Sequence, residues 1–155
     1  MHRSYAFVLF SLFSFFASCT AQKQKSLKAL KQGICGTVVE KRGNFMPGPG
    51  KKNGSGTPVE REVLIFPLLN LSQVEAGDNG FITSVREAKP VKTLRTEKDG
   101  TFCVSLPAGR YSVIVQEPKG LYANVSDTQN NIFPVNVQKN RQSTIRVEIT
   151  HQAVF

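Results

Sequence analysis

Thr96 to Tyr111 reads T-E-K-D-G-T-F-C-V-S-L-P-A-G-R-Y, and turns packed this closely leave room only for short extended segments. Lys98-Asp99-Gly100 supplies one turn, because Asp bonds its own backbone and Gly accepts a positive φ; Pro107-Ala108-Gly109 supplies the next. Between them Phe102, Val104 and Leu106 alternate with Cys103 and Ser105, the period of a strand with one buried face. The same period recurs at Ile34–Glu40, Arg61–Pro67, Val91–Glu97, Thr101–Leu106, Arg110–Gln116, Ile132–Val137 and Ser143–Thr150. Ile34, Gly36 and Val38 point inward on the first of these, Val63 and Ile65 on the second, and Ile145, Val147 and Ile149 on the last. No window from Gly33 onward places apolar residues at helical spacing. Seven short strands separated by turn signals predict an all-β chain, a seven-stranded antiparallel β-sandwich.

The Thr96–Tyr111 stretch also resembles the signature of the carboxypeptidase regulatory-like domain, a transthyretin-like (prealbumin-like) β-sandwich of bacterial envelope proteins. The family pattern runs T-D-x-x-G-x-F-x-L-x-L-P-x-G-x-Y, and Glu97 stands where the family often has Asp. The first strand resembles the family's opening G-x-V-x-D, so the resemblance runs from Gly33 to Ile149 but skips the long loops. It implies a non-catalytic accessory module of the kind found beside peptidases and outer-membrane receptors.

Met1–Ala21 has the three parts of a secretory signal: a basic start at His2 and Arg3, an apolar run from Tyr5 to Phe16, and small residues after it. That run is too short to span a bilayer as a stable helix. Phe16-Ala17-Ser18-Cys19 resembles the lipobox of bacterial lipoproteins, which makes Cys19 the lipidated first residue of the mature chain. The other reading is ordinary cleavage after Ala21, with a secreted or periplasmic product starting at Gln22. A basic tether, residues 22–32, follows, and residues 33–155 form one domain of about 135 residues with the tether counted, enough for a two-sheet core. Loss of Arg3 takes the formal charge from the +9 of the whole chain to +8. This surplus favours an anionic membrane surface beneath a lipid anchor. The basic residues lack the aromatic strand platform of single-strand binders, so no nucleic acid is expected.

Either cleavage removes Cys19 from disulfide arithmetic and leaves Cys35 and Cys103 together in an oxidising compartment. Each lies between inward-pointing neighbours and therefore faces away from the core, where a cross-strand disulfide forms if the strands adjoin. Two free thiols or a redox pair are the rivals, and no C-x-x-C spacing favours the last.

Three connections, 41–60, 68–90 and 117–131, are longer than chain reversal needs, and loops of this length usually carry function or lack order. Alternating strand direction gathers the first and third of them, the Asp99 turn and the C-terminus at one end. Phe45, Met46, Lys51, Lys52, Leu121, Tyr122, Asn124 and Asp127 are then the expected binding surface, mixing apolar anchors with polar and basic groups. Their other reading is a plug in which Phe45, Met46, Leu121 and Tyr122 close the core.

Chemistry that can be counted is sparse. The two histidines are His2, in the leader, and His151, which reads as a solvated end residue. Transthyretin-like hydrolases and intradiol dioxygenases need more histidines than this, so no metal or cofactor is expected. Glu75, Asp78, Asp99, Glu117 and Asp127 lie in or near loops and read as turn-forming or solvated acids. The expectation is a non-catalytic, exported binding or scaffolding module, membrane-attached through a lipid anchor, whose partner is an envelope protein or glycan. An enzyme acting on envelope glycans through loop carboxylates, or a purely structural protein, is the alternative.

Overall fold

A computed structural model of the chain describes residues 31–49 and 54–155. The leader, the lipidation position Cys19, most of the tether, and Lys51 and Lys52 lie outside the described residues.

The chain forms two facing β-sheets with no α-helix among the described residues. In chain order the strands are β1 (Gly33–Asn44), β2 (Thr57–Pro58), β3 (Glu62–Pro67), β4 (Glu75–Ala76), β5 (Phe81–Ser84), β6 (Lys92–Arg95), β7 (Thr101–Ser105), β8 (Gly109–Glu117), β9 (Gly120–Tyr122), β10 (Pro134–Val137) and β11 (Gln142–Val154). The first sheet is built on β1, with β11 on one side and β7 and β2 in succession on the other. The second runs β4-β5-β9-β8-β3-β6, with β10 also paired to β8. All seven strands read from the sequence are present. The four additional ones are short and arise in segments that sequence alone leaves as loops.

Among the described residues every strand pairing is antiparallel except one: β1 and β11 run parallel, from Gly33↔Gln142 to Asn44↔Val154. Val38, Val147 and Ile149 on that pair bury against Val63, Ile65, Val113 and Val115 of the second sheet. Both faces of β8 are covered, since Ser112 and Ile114 are as buried as Val113 and Val115. The Ser112 hydroxyl accepts from the Leu69 amide at 2.9 Å, which ties the segment after β3 onto that second face.

The Asp99–Gly100 turn folds as its residues require. Asp99 accepts from the Thr101 amide, and Gly100 takes φ +73° with its carbonyl accepting from the Val38 amide at 2.9 Å. A Cβ at Gly100 would sit 2.4 Å from the Val38 carbonyl, so no other residue fits without moving β1.

Two loop assignments need correction. The segment 117–131 starts at the expected end, but β9 pairs back on β8 and carries the chain to the opposite end, where Asn131 bridges Asn70. Gln32, read as the last tether residue, is pinned: its amide donates to the Leu106 carbonyl and accepts from the Asn140 amide.

Cys35 and Cys103 are register partners across β1 and β7 and form a disulfide spanning a sequence separation of 68. Both lie on the sheet face turned away from the core, although Cys35 is itself buried. Closing so long a loop in the unfolded chain stabilises the fold by roughly 4 kcal/mol in the entropic account. Cys35→Ala with Cys103→Ala is expected to lower the unfolding free energy by about 2–4 kcal/mol in urea titrations while leaving the far-ultraviolet spectrum unchanged.

Candidate functional site

At the end of the sandwich where β1 leaves the core, the inward-facing row of residues changes from apolar to ionisable. Glu40 follows Val38 on β1, Glu117 follows Val115 on β8, and Arg61 precedes Val63 at the start of β3, each two residues from a core side chain. His151 arrives by a bulge. Glu40 pairs with Ile149 and Arg42 with Gln152, so Lys41 alone stands against Thr150 and His151. The extra residue turns both Thr150 and His151 toward the second sheet. There the Tyr122 hydroxyl accepts from the Thr150 amide at 3.0 Å, and Asn124 donates to the Thr150 hydroxyl at 2.7 Å.

The four side chains form one ionic cluster. Arg61 Nε donates to Glu117 Oε1 at 2.5 Å, its Nη2 lies 3.8 Å from Glu40 Oε2, and His151 Nε2 lies 3.1 Å from Glu117 Oε2. Thr96 positions Arg61: its hydroxyl accepts from the Arg61 amide at 2.9 Å, and its own amide donates to the Arg61 carbonyl. The side chains of Glu40, Glu117 and His151 are 8%, 2% and 7% exposed, against 23% for Arg61. The His151 ring packs against Phe81 and Tyr122, at centroid distances of 4.9 and 5.4 Å. His151 is therefore not a solvated end residue, and Glu117 is not a loop acid; the bulge and the inward alternation bury both.

Glu40 Oε1 is fully buried and has no hydrogen bond, and Glu40 Oε2 reaches Arg61 only as an ion pair. Arg42 Nη2 forms an ion pair with Oε1 at 2.8 Å, from a side chain 62% exposed.

Grooves lie elsewhere. One of about 220 Å³ runs between Leu71, Phe81, Val125 and Ile132, and another follows Gln116, Lys119 and Leu121. Phe81 lines both and stands between them and His151.

The residues expected to form a binding surface are dispersed. Tyr122 is fully buried and belongs to the core, because β9 brings it inside the second sheet; Leu121 beside it is half-buried. Asn124 is spent on Thr150. Asp127 is at the opposite end, beside Arg110, closing a turn in which its carboxylate accepts from the Gln129 and Asn131 amides. Asn131 bonds hold its carboxyl below the ordinary range. Phe45 and Met46 do sit together, where parallel β1 and β11 run past the core. The Phe45 amide donates to the Val154 carbonyl, and the Phe45 and Phe155 rings lie 5.9 Å apart. Met46 and Val154 are exposed and Phe155 is 63% exposed. Lys41 Nζ stands 5.6 and 5.7 Å from the two ring centroids and pairs with Glu148 at 2.7 Å. Sequence reasoning missed the contributions of Val154 and Phe155, which only the parallel pairing with β1 brings beside Phe45.

No protein-family model, curated protein or solved structure matches the chain.

The cluster makes a definite energetic statement. Arg61 is hydrogen-bonded to buried Glu117 and paired at 3.8 Å with buried Glu40, so Arg61→Met is expected to destabilise by about 3–5 kcal/mol. Adding Glu117→Leu to it should recover most of that loss, and a urea double-mutant cycle checks both. The Lys41 hydrogen bond holds the Glu148 carboxyl below its ordinary 4.5. A depressed folded-state pKa stabilises fully above the unfolded value, and the gain is lost as pH falls through the folded value. The stability difference between the chain and Glu148→Gln should be flat from about pH 7 to 5 and shrink below that ordinary value.

Proposed function

We propose that this chain is a non-catalytic, exported binding or scaffolding module of the bacterial cell envelope, lipid-anchored through Cys19. The resemblance of Thr96–Tyr111 to the carboxypeptidase regulatory-like domain supports that assignment, and so does the all-β sandwich. The observation that carries the binding role is the apolar patch of Phe45, Met46, Val154 and Phe155 at the rim. Exposed side chains of this size grouped at one rim and bordered by a cation mark a contact surface more often than scattered single residues do. The bordering cation is Lys41, and Lys51 and Lys52 follow closely in the sequence. An apolar centre with a basic edge fits an envelope protein that presents an apolar anchor among acidic groups. An enzyme would need carboxylates facing substrate; Glu40 and Glu117, the pair that meets, sit behind Arg61 and away from the grooves.

Photo-crosslinking in the native envelope tests this reading. A photoreactive residue at Met46 is expected to give a discrete protein adduct, lost on Phe155→Ser and on Cys19→Ala. The same probe at Val91, exposed just before β6, should give none. Equal labelling from both positions would remove the patch as the docking surface, and a glycan adduct alone would reassign the partner.

A further inference from the structure

The buried cluster distributes its atoms in a way that ion pairing alone does not require. Each carboxylate turns one oxygen toward Arg61, Oε1 of Glu117 and Oε2 of Glu40, and keeps its other oxygen off that guanidinium. Of those two remaining oxygens, Glu117 Oε2 faces His151 Nε2, and Glu40 Oε1, in a residue 8% exposed, is met by no buried group and only by the solvent-exposed Arg42 guanidinium at 2.8 Å. A buried carboxylate oxygen left in this state is costly unless something else takes its lone pair.

The geometry points to a divalent transition-metal site, with Zn²⁺ as its occupant, ligated by Glu40 Oε1, Glu117 Oε2 and His151 Nε2. One ligand atom from each of Glu40, Glu117 and His151 lies within 4.8 Å of the others. Two ligands on one tetrahedral zinc stand about 3.3 Å apart, given metal–ligand distances near 2.0 Å. The Nε2 to Oε2 separation of 3.1 Å already matches that bite, so only Glu40 must close in, by side-chain rotation. A neutral imidazole that ligates the ion through Nε2 carries its one proton on Nδ1, and any further proton held between Nε2 and Oε2 is released to solvent as the ion enters. Arg61, held by Thr96, orients Glu117 as an outer partner of a ligating carboxylate. Arg42, whose side chain is 62% exposed, can swing from Oε1 into solvent, which leaves Arg61 as the cation beside the two carboxylates and the ion. One imidazole with two carboxylates suits zinc, whereas calcium and magnesium call for an all-oxygen shell of higher coordination. Three protein ligands leave a further position to water. Because Glu40 and His151 belong to the first sheet and Glu117 to the second, the ion would staple the sheets together.

The test uses the purified full-length chain stripped with EDTA, titrated calorimetrically with ZnCl₂ and melted with and without it. Saturable one-to-one binding and a higher melting temperature are expected. Glu40→Gln and His151→Gln should each weaken zinc at least tenfold, while Glu87→Gln, a distant surface change, should not. Absence of saturable binding, or equal affinity in all variants, overturns the site. Should a ligand variant fail to fold, the ring ¹⁵N resonances of His2→Ala chain, whose sole histidine is His151, decide the matter. A zinc-induced shift at Nε2 supports the site, and unchanged ring resonances overturn it.

Discussion

The parallel pairing of β1 with β11 is the constraint on which the rest of this structure hangs. Parallel strands cannot be joined by a hairpin, so the partners come from the two ends of the domain and everything between must fold back across them. That arrangement places Ile34 and Val38 beside Val147 and Ile149 as one side of the core. It also continues past the core, which is why Phe45 meets Phe155 at the rim. On its other flank β1 takes β7, and the Cys35–Cys103 bridge fixes that join covalently. A single strand therefore connects the disulfide, the core, the ionic cluster and the apolar rim.

Much of the fold was legible because a half-buried strand writes its own period into the sequence. Ile34, Gly36 and Val38, or Ile145, Val147 and Ile149, declare a face without knowledge of any partner. The cysteine pairing was legible for the same reason: alternation put both thiols on one kind of face, and their strands are neighbours. The four strands not anticipated have no such signature. β5 contributes Phe81 and Ile82, and β9 contributes Leu121 and Tyr122; they become strands by pairing with each other and with β8, a nonlocal event. Propensity over two to four residues cannot signal that.

The ionic cluster was hidden by a different cause. Reading alternation as a hydrophobic pattern stops the count where apolar residues stop, at Val38, Val63, Val115 and Ile149. The backbone does not stop there. Counting two further in the same direction reaches Glu40, Arg61 and Glu117, so that much was available from period alone. The same count from Ile149 reaches His151, but the bulge opposite Lys41 that sets Thr150 beside it depends on register with β1, and Thr150 is fixed there by Tyr122 from the other sheet. The binding residues assigned to the 117–131 segment were misplaced through a related error. Loop length suggested a loop, but β9 reverses the chain and removes Asp127 to the far end.

Why ionisable residues close this end of the sandwich is a question of specificity more than of stability. Apolar side chains of similar volume would be as stabilising or more so, since desolvating two carboxylates and a guanidinium offsets their mutual attraction. An apolar plug, however, tolerates sliding. A one-residue slip of β11 would turn Ile145, Val147 and Ile149 to the outside, and a purely apolar end would penalise only that exchange. With Glu40 on β1, Glu117 on β8, Arg61 entering β3 and His151 on β11, any slip also strands a buried charge without its partner. The penalty for that is several times the net value of the pairs themselves. The cluster thus selects one alignment of both sheets, and the same alignment brings Phe45 and Phe155 together at the rim.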